Sequence, residues 1–317
     1  MNRTLKLGLS VFFLFGLVLF SFAATNYDTA VEYYNQGVDL HDSNPNAALQ
    51  KYMKSLEYDK NIGEVYLNIG LIYINRGDLD KGEEYTVKAM ETFLKTNQKI
   101  SDSQSFERLV AICNNNVGVI YLRKMDKTTN EATKQKYLEY ALTDFLWAIE
   151  IDPSYDTALG NYNSNLPYIT KSGTDFYNDG VDFLDSKKNT EAVVRFKIAV
   201  DLDKTIGEAY LNMGLAYLRD KEYILCEKYS KEALNTFRKY KKTIAEGQTL
   251  EELQAICYLN MGLAYIGRAQ DAHDKGRIND AKIYHNSAKE MWKKGAQIDP
   301  TYPNIKSALE RYNNSYL

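Results

Sequence analysis

One phrase constrains this chain more than any other feature. It reads Tyr210-Leu211-Asn212-Met213-Gly214-Leu215-Ala216-Tyr217, recurs almost unchanged at 258–265, and stands in close form at 66–73. Looser copies lie at 114–121, 33–40 and 176–183. Within a copy, the first residue, the residue three later, the glycine four later and the residue seven later share one helical face. A glycine inside a helix costs about 1 kcal/mol relative to alanine. A cost repeated in every copy needs a reason, and the close approach of a neighbouring helix, which a Cβ would block, supplies one. The partner helix follows each phrase. Ala192, Phe196 and Ala199 come 12, 16 and 19 residues after Gly180; Cys226, Ser230 and Ala233 keep the same steps after Gly214; Gly82, Thr86 and Ala89 keep them after Gly70. The spacing predicts helical hairpins joined through a small-residue face.

The aromatic-x-Asn-x-Gly-x-x-Tyr phrase, the trio on the second helix, and a closing Asp-Pro at Asp152-Pro153 and Asp299-Pro300 resemble the tetratricopeptide repeat. The resemblance covers most of residues 30–303. It departs where Gly82 and Cys226 replace the usual Ala, and where Leu40 and Phe183 replace the second Tyr. It implies an all-α solenoid of antiparallel helical hairpins that binds a protein or peptide along its concave face. Carried over by the family's spacing, that face takes Tyr34, Val38, Leu67, Leu71, Asn115 and Val119 in the first half. In the second half it takes Tyr177, Val181, Leu211, Leu215, Leu259 and Leu263. The stripe is largely apolar. The family's charged clamp for acidic peptide ends is absent from it, which argues against chaperone-tail binding of that kind. The resemblance also implies that the recurring amides, such as Asn68 and Asn212, bond the backbone of the adjoining helix.

Two halves repeat each other at about 144 residues, with Gly37, Gly70, Gly118 and Pro153 answered by Gly180, Gly214, Gly262 and Pro300. Residues 61–64 (NIGE) are answered by 205–208 (TIGE). The expected plan is a signal peptide at 1–23, a first block at 24–170 and a second at 171–317. Units fall at about 27–60, 61–97 and 103–153, then 173–204, 205–240 and 249–300. About 14 extra residues precede the third unit of each block, around 95–108 and 239–253, and the helices of those units should overhang their neighbours. Thr249-Leu250-Glu251-Glu252 reads as a capping box that starts a helix near 250. Short helices at 155–165 and 304–312 should bridge the blocks and cap the array, with 164–173 as the hinge.

Arg3 and Lys6 open the chain, an apolar run follows from 7 to 22, and Ser21-Phe22-Ala23 has the small-residue spacing of a signal-peptidase site. The protein is expected to be exported, periplasmic or secreted, with a membrane anchor only if that segment stays uncleaved. Cleavage would move the net charge from −3 to −5, which offers nothing to phosphate and argues against nucleic acid. Cys113, Cys226 and Cys257 are an odd set on contact faces and read as buried apolar residues. No nucleophile motif, phosphate loop or paired-Cys metal spacing is present. His273 and His285 near Asp271, Asp274 and Asp280 read as a solvated hairpin tip. The chain is therefore expected to be non-catalytic, without cofactor or metal. The leading reading is a scaffold for a protein or peptide partner. A small apolar-ligand carrier and a self-associating envelope protein, a homo-oligomer, are the other two.

Overall fold

The computed structural model describes residues 26–315 apart from 97, 102 and 245. The expected export segment lies outside the described residues. Every regular element among the described residues is helical. The chain divides into two units, the first ending at Ile169 and the second beginning at Thr170.

In the first unit α1 (26–40) pairs with α2 (Pro45–Tyr58), α3 (Gly63–Arg76) with α4 (Leu79–Lys95), and α5 (Phe106–Asp126) with α6 (Glu131–Ile151). α7 (Asp156–Asn165) closes it. In the second unit the pairs are α8 (Gly173–Asp185) with α9 (Asn189–Leu202), α10 (Gly207–Arg219) with α11 (Tyr223–Tyr240), and α12 (Leu250–Asp274) with α13 (Ile278–Ile298). α14 (Pro303–Ser315) follows.

Local chemistry sets the helix ends. Asn44 accepts the Ala47 N–H ahead of Pro45, which suits a first helical turn. Gly77 stops α3 in the left-handed conformation, at φ 77°. Thr249 accepts the Glu252 N–H at the start of α12, which is half of the expected box. The full reciprocal box occurs at Ser172 and Asp175, at the end of the expected hinge, which also carries a 3-10 turn at Leu166–Tyr168.

The phrase glycines pack in two ways. At Gly37, Gly118 and Gly180 an aromatic ring of the following helix lies on the bare Cα: an added Cβ would come within 2.5 Å of Tyr52, Phe145 and Phe196. At Gly262 it would meet the Trp292 indole nitrogen at 2.1 Å. At Gly70 and Gly214 the partner's backbone itself approaches, with Thr86 N at 3.1 Å and Ser230 N at 3.3 Å from that Cβ. The rings that fill these hollows are fully buried or nearly so, each stabilising the hairpin by about 1.5–3 kcal/mol on area grounds.

The third hairpin of each unit is longer than its predecessor. α5 and α6 have 21 residues each and α12 has 25, against 14 for α3 and 13 for α10. The short helices cap part of that length. Ala158 of α7 packs on Ala111 and Ala148, and Ile305 of α14 joins Ala255, Ala288 and Trp292. Cys113, Cys226 and Cys257 are free thiols in the interior, and burial pushes Cys226 up to about 12.

Candidate functional site

The concave-face positions divide by burial. Leu67 lies inside the cluster of Ala89, Phe93 and Leu109, and Leu211 inside that of Ala233, Phe237 and Cys257. These two fasten one hairpin to the next. Asn115 is also interior, and its side-chain oxygen accepts the Asn161 amide at 2.8 Å, tying α5 to the α7 cap. Leu71, Val119, Val181, Leu215 and Leu259 are half-buried. Val38 is 44% exposed and Leu263 38%. The stripe open to a ligand is therefore narrower than spacing predicts, because helix-to-helix packing consumes its largest side chains.

Tyr34 and Tyr177 carry the polar part of the stripe. Asn68 donates through Nδ2 to the Tyr34 hydroxyl at 3.5 Å and the Tyr52 hydroxyl at 3.3 Å; Asn212 donates to the Tyr177 hydroxyl at 3.4 Å. These amides thus reach a side chain of the preceding hairpin, where the family pattern implied backbone. Burial raises the pKa of both tyrosines, and the charges of Glu64 and Glu208 add to it. In the first unit the network runs on to His41, whose Nδ1 is 3.1 Å from the Tyr52 hydroxyl. The second unit has Phe196 where the first has Tyr52, so this extension belongs to the first unit alone.

Sequence reasoning passed over two duplicated constellations. Glu64 and Glu208, at 3% and 2% exposure, sit in the first turns of α3 and α10. Glu64 Oε1 accepts the N–H groups of Ile100 and Ser101 at 2.7 and 3.2 Å. Glu208 Oε1 accepts the Ile244 N–H at 2.7 Å and the Thr243 hydroxyl at 2.5 Å. Each carboxylate holds down the connection that was read only as extra length. The signal was present in the matching NIGE and TIGE, since a charged side chain retained next to a buried glycine points inward.

The second constellation lies at the hairpin turns. Glu83 accepts the Tyr121 hydroxyl at 3.1 Å and Lys124 at 2.7 Å; Glu227 accepts the Tyr265 hydroxyl at 2.6 Å and Arg268 at 2.9 Å. Burial, then the Glu227 hydrogen bond and charge, push Tyr265 up to about 12. Beside each trio is a cleft, about 420 Å³ next to Asp78 and Tyr137, and about 260 Å³ next to Glu222 and Tyr284. Lys124 in the first cleft and Arg268 in the second are already paired with carboxylate, and Lys127 donates to the Gly77 carbonyl at 2.8 Å. At the other end of α5, Arg108 pairs with Asp152 at 2.6 Å and stacks on Tyr155. Among the described residues, no group of three or more His, Cys, Asp or Glu is placed to hold a metal ion. His273 and Asp274 are exposed at the last turn of α12.

A tetratricopeptide-repeat family model matches residues 63–93, which is α3 with most of α4. The photosystem I assembly protein Ycf3 of Synechococcus sp. (strain CC9311) is 26% identical over 128 residues, covering 39% of this chain and 66% of that relative. The chain thus spans a little under two thirds of that relative's length. Ycf3 of Prochlorococcus marinus (strain MIT 9301) is 25% identical over 144 residues, covering 44% and 75%. Among solved structures, a thermophilic TPR protein of Thermus thermophilus shares 14% identity over 66% of this chain and 92% of its own, at a TM-score of 0.33. The hairpin of α3 and α4 is thus a tetratricopeptide repeat, and hairpins nested through the same glycine phrase lie on either side of it.

Proposed function

We propose that the protein is a non-catalytic scaffold that receives a protein or peptide partner on the open stripe of its hairpins. The observation that carries the reading is the exposure of Val38 in the first unit, whose stripe also holds the half-buried Leu71 and Val119, and of Leu263 in the second, whose stripe also holds Val181 and Leu215. A partner's apolar side chain seated there releases water from both surfaces. The partly buried Tyr34 and Tyr177 supply hydroxyls that fix its orientation. The relatives named as assembly proteins support a role in bringing other proteins together.

The same reading places the work outside the cytoplasm, on the basic start, apolar run and small-residue site of residues 1–23. Among the described residues no helix is long and apolar enough to cross a membrane. Sequencing the N-terminus of the protein recovered from its source tests the export step; an intact Met1 would reject cleavage.

The groove is tested by capture from envelope extracts with the combined Val38→Asp and Leu263→Asp variant. Leu94→Asp is the control, since Leu94 is exposed on α4 away from the stripe. The groove variant is expected to lose a partner that the control retains. A partner held equally by both, with unchanged helical signal, would reject the groove.

A further inference from the structure

We propose that the inserted connection in each unit is a latched strap, and that the latch is coupled to the groove tyrosine through a shared amide. The strap is residues 98–101 in the first unit and 241–244 in the second. In the first, Gln98 donates to Asp59 at 2.8 Å, Tyr27 donates to the Lys99 carbonyl at 3.3 Å, and Ile100 packs on the core of the first hairpin. In the second, Lys242 donates to the Thr205 hydroxyl at 3.1 Å. These are peripheral contacts between partly exposed groups. The buried fastening in both is the same glutamate, Glu64 or Glu208, whose Oε1 accepts from the strap.

The glutamate is four residues ahead of the amide, Asn68 or Asn212, on the same helix, so the two share a face. That amide is committed to the groove tyrosine of the preceding hairpin at 3.5 or 3.4 Å, a long and therefore weak bond. When the tyrosine hydroxyl is taken by another group, the amide is released and turns to the glutamate carboxylate one turn away. There an added donor draws the carboxylate's charge away from Oε1 and weakens the strap bonds. Occupation of the groove is thus transmitted to a loop on a different edge of the unit by exchange of one donor. The same set of residues stands in both units, so the coupling does not depend on the His41 and Tyr52 extension of the first. The consequence for a partner rests on the groove reading above. The strap itself can be tested without a partner, so either idea can fail alone.

The second unit is the cleaner test, because Asn212 has no counterpart of Tyr52. Amide hydrogen exchange at Ile244, whose N–H donates to Glu208, is measured against interior amides of α10 in the full chain. Glu208→Gln keeps an acceptor in place but removes its charge, which roughly halves hydrogen-bond strength. Exchange at the strap is expected to rise about tenfold while α10 stays within about twofold. Tyr177→Phe keeps the ring packed on Phe196 and removes only the hydroxyl. Strap exchange is expected to rise at least threefold, and to return to the wild-type rate in the Tyr177→Phe, Asn212→Ala double variant. An unchanged rate in Tyr177→Phe overturns the coupling. A rise that survives Asn212→Ala also overturns it, since packing would then be the cause. Equal acceleration of strap and α10 in Glu208→Gln overturns the latch.

Discussion

Gly118→Ala measures how the hairpins nest. The added Cβ would lie 2.5 Å from Phe145 Cε1, 2.7 Å from Cδ1 and 3.0 Å from Cζ. Carbon atoms rest at about 3.5–4.0 Å, so the ring has to retreat by about 1 Å. Phe145 is fully buried, and overpacking of that size costs about 1–3 kcal/mol. Alanine recovers about 1 kcal/mol of helix propensity. The net loss is about 0–2 kcal/mol, which alone decides little. The informative quantity is the double-mutant cycle with Phe145→Leu. Leucine has no atom at the Cε1 or Cζ position and its Cδ atoms can turn aside, so in its presence the alanine keeps the propensity gain with most of the clash relieved. The coupling energy is expected at about 1–3 kcal/mol in the relieving direction. Urea unfolding followed by the fluorescence of Trp147, two residues from Phe145, gives the four stabilities; a Trp292→Phe background isolates that probe. Additivity within about 0.5 kcal/mol would refute the ring-on-glycine account. The opposite case is Gly70, where truncating Thr86 to Ala removes the 2.8 Å contact with Oγ1 but leaves its backbone N at 3.1 Å. Relief there should be smaller.

Further substitutions and one titration follow from the same geometry. Lys221 holds φ 63° at the turn where the first unit has Gly77, also left-handed. Lys221→Gly should stabilise the second unit by about 1 kcal/mol, given about 1–2 kcal/mol for a side chain in that region less the entropy of glycine; a lower urea midpoint would contradict this. Burial raises the Glu227 pKa, but Lys231, Tyr265 and Arg268 outweigh it and hold the carboxyl below its ordinary value. A depressed carboxylate contributes stability that is present above the unfolded pKa of about 4.3 and lost as pH falls through the lower folded value. Acid should therefore loosen α11 from α12 first below about pH 4.3, and Glu227→Gln should flatten that slope in Trp292 fluorescence. Leu67→Asp and Leu211→Asp should unfold their units outright, since each puts a charge inside a core cluster, whereas Leu94→Asp should leave the thermal midpoint within about 2 °C.

How much of this was legible in the sequence depended on whether a residue's job repeats along the chain. The phrase glycines were legible because a period exposes them: Gly70, Gly180 and Gly214 each face a partner at the same step. Their two modes of packing were not, because the step from Gly118 to Phe145 and from Gly262 to Trp292 is stretched by the longer third hairpin. The Asn68 partner was missed for a related reason. Its acceptor, Tyr34, lies 34 residues back, and no local pattern distinguishes a bond to that hydroxyl from one to a carbonyl. At the stripe, spacing assigned the correct helical face but could not apportion it. Leu67 and Leu71 are one turn apart, and only three-dimensional packing decides that the first belongs to a core and the second is left half open.

The duplication also separates structure from specialisation. Glycine-on-ring contacts, the glutamate latch and the Tyr-Glu-cation trio occur in both units, and all three join elements that would otherwise part. What the units do not share is confined to fewer places. Tyr52 with His41 becomes Phe196 in the copy, and Arg108, paired with Asp152 in the first unit, is answered by Glu252 at the matching position. A substitution that both copies tolerate differently cannot be needed for nesting, because one copy nests without it. Differences of partner between the two stripes should therefore be sought first at Tyr52. Tyr52→Phe would remove an acceptor of the Asn68 amide and leave the ring on Gly37. It should make the first unit's strap respond to Tyr34→Phe as the second unit's responds to Tyr177→Phe. A first unit that still responds less would place the difference elsewhere than in that hydroxyl.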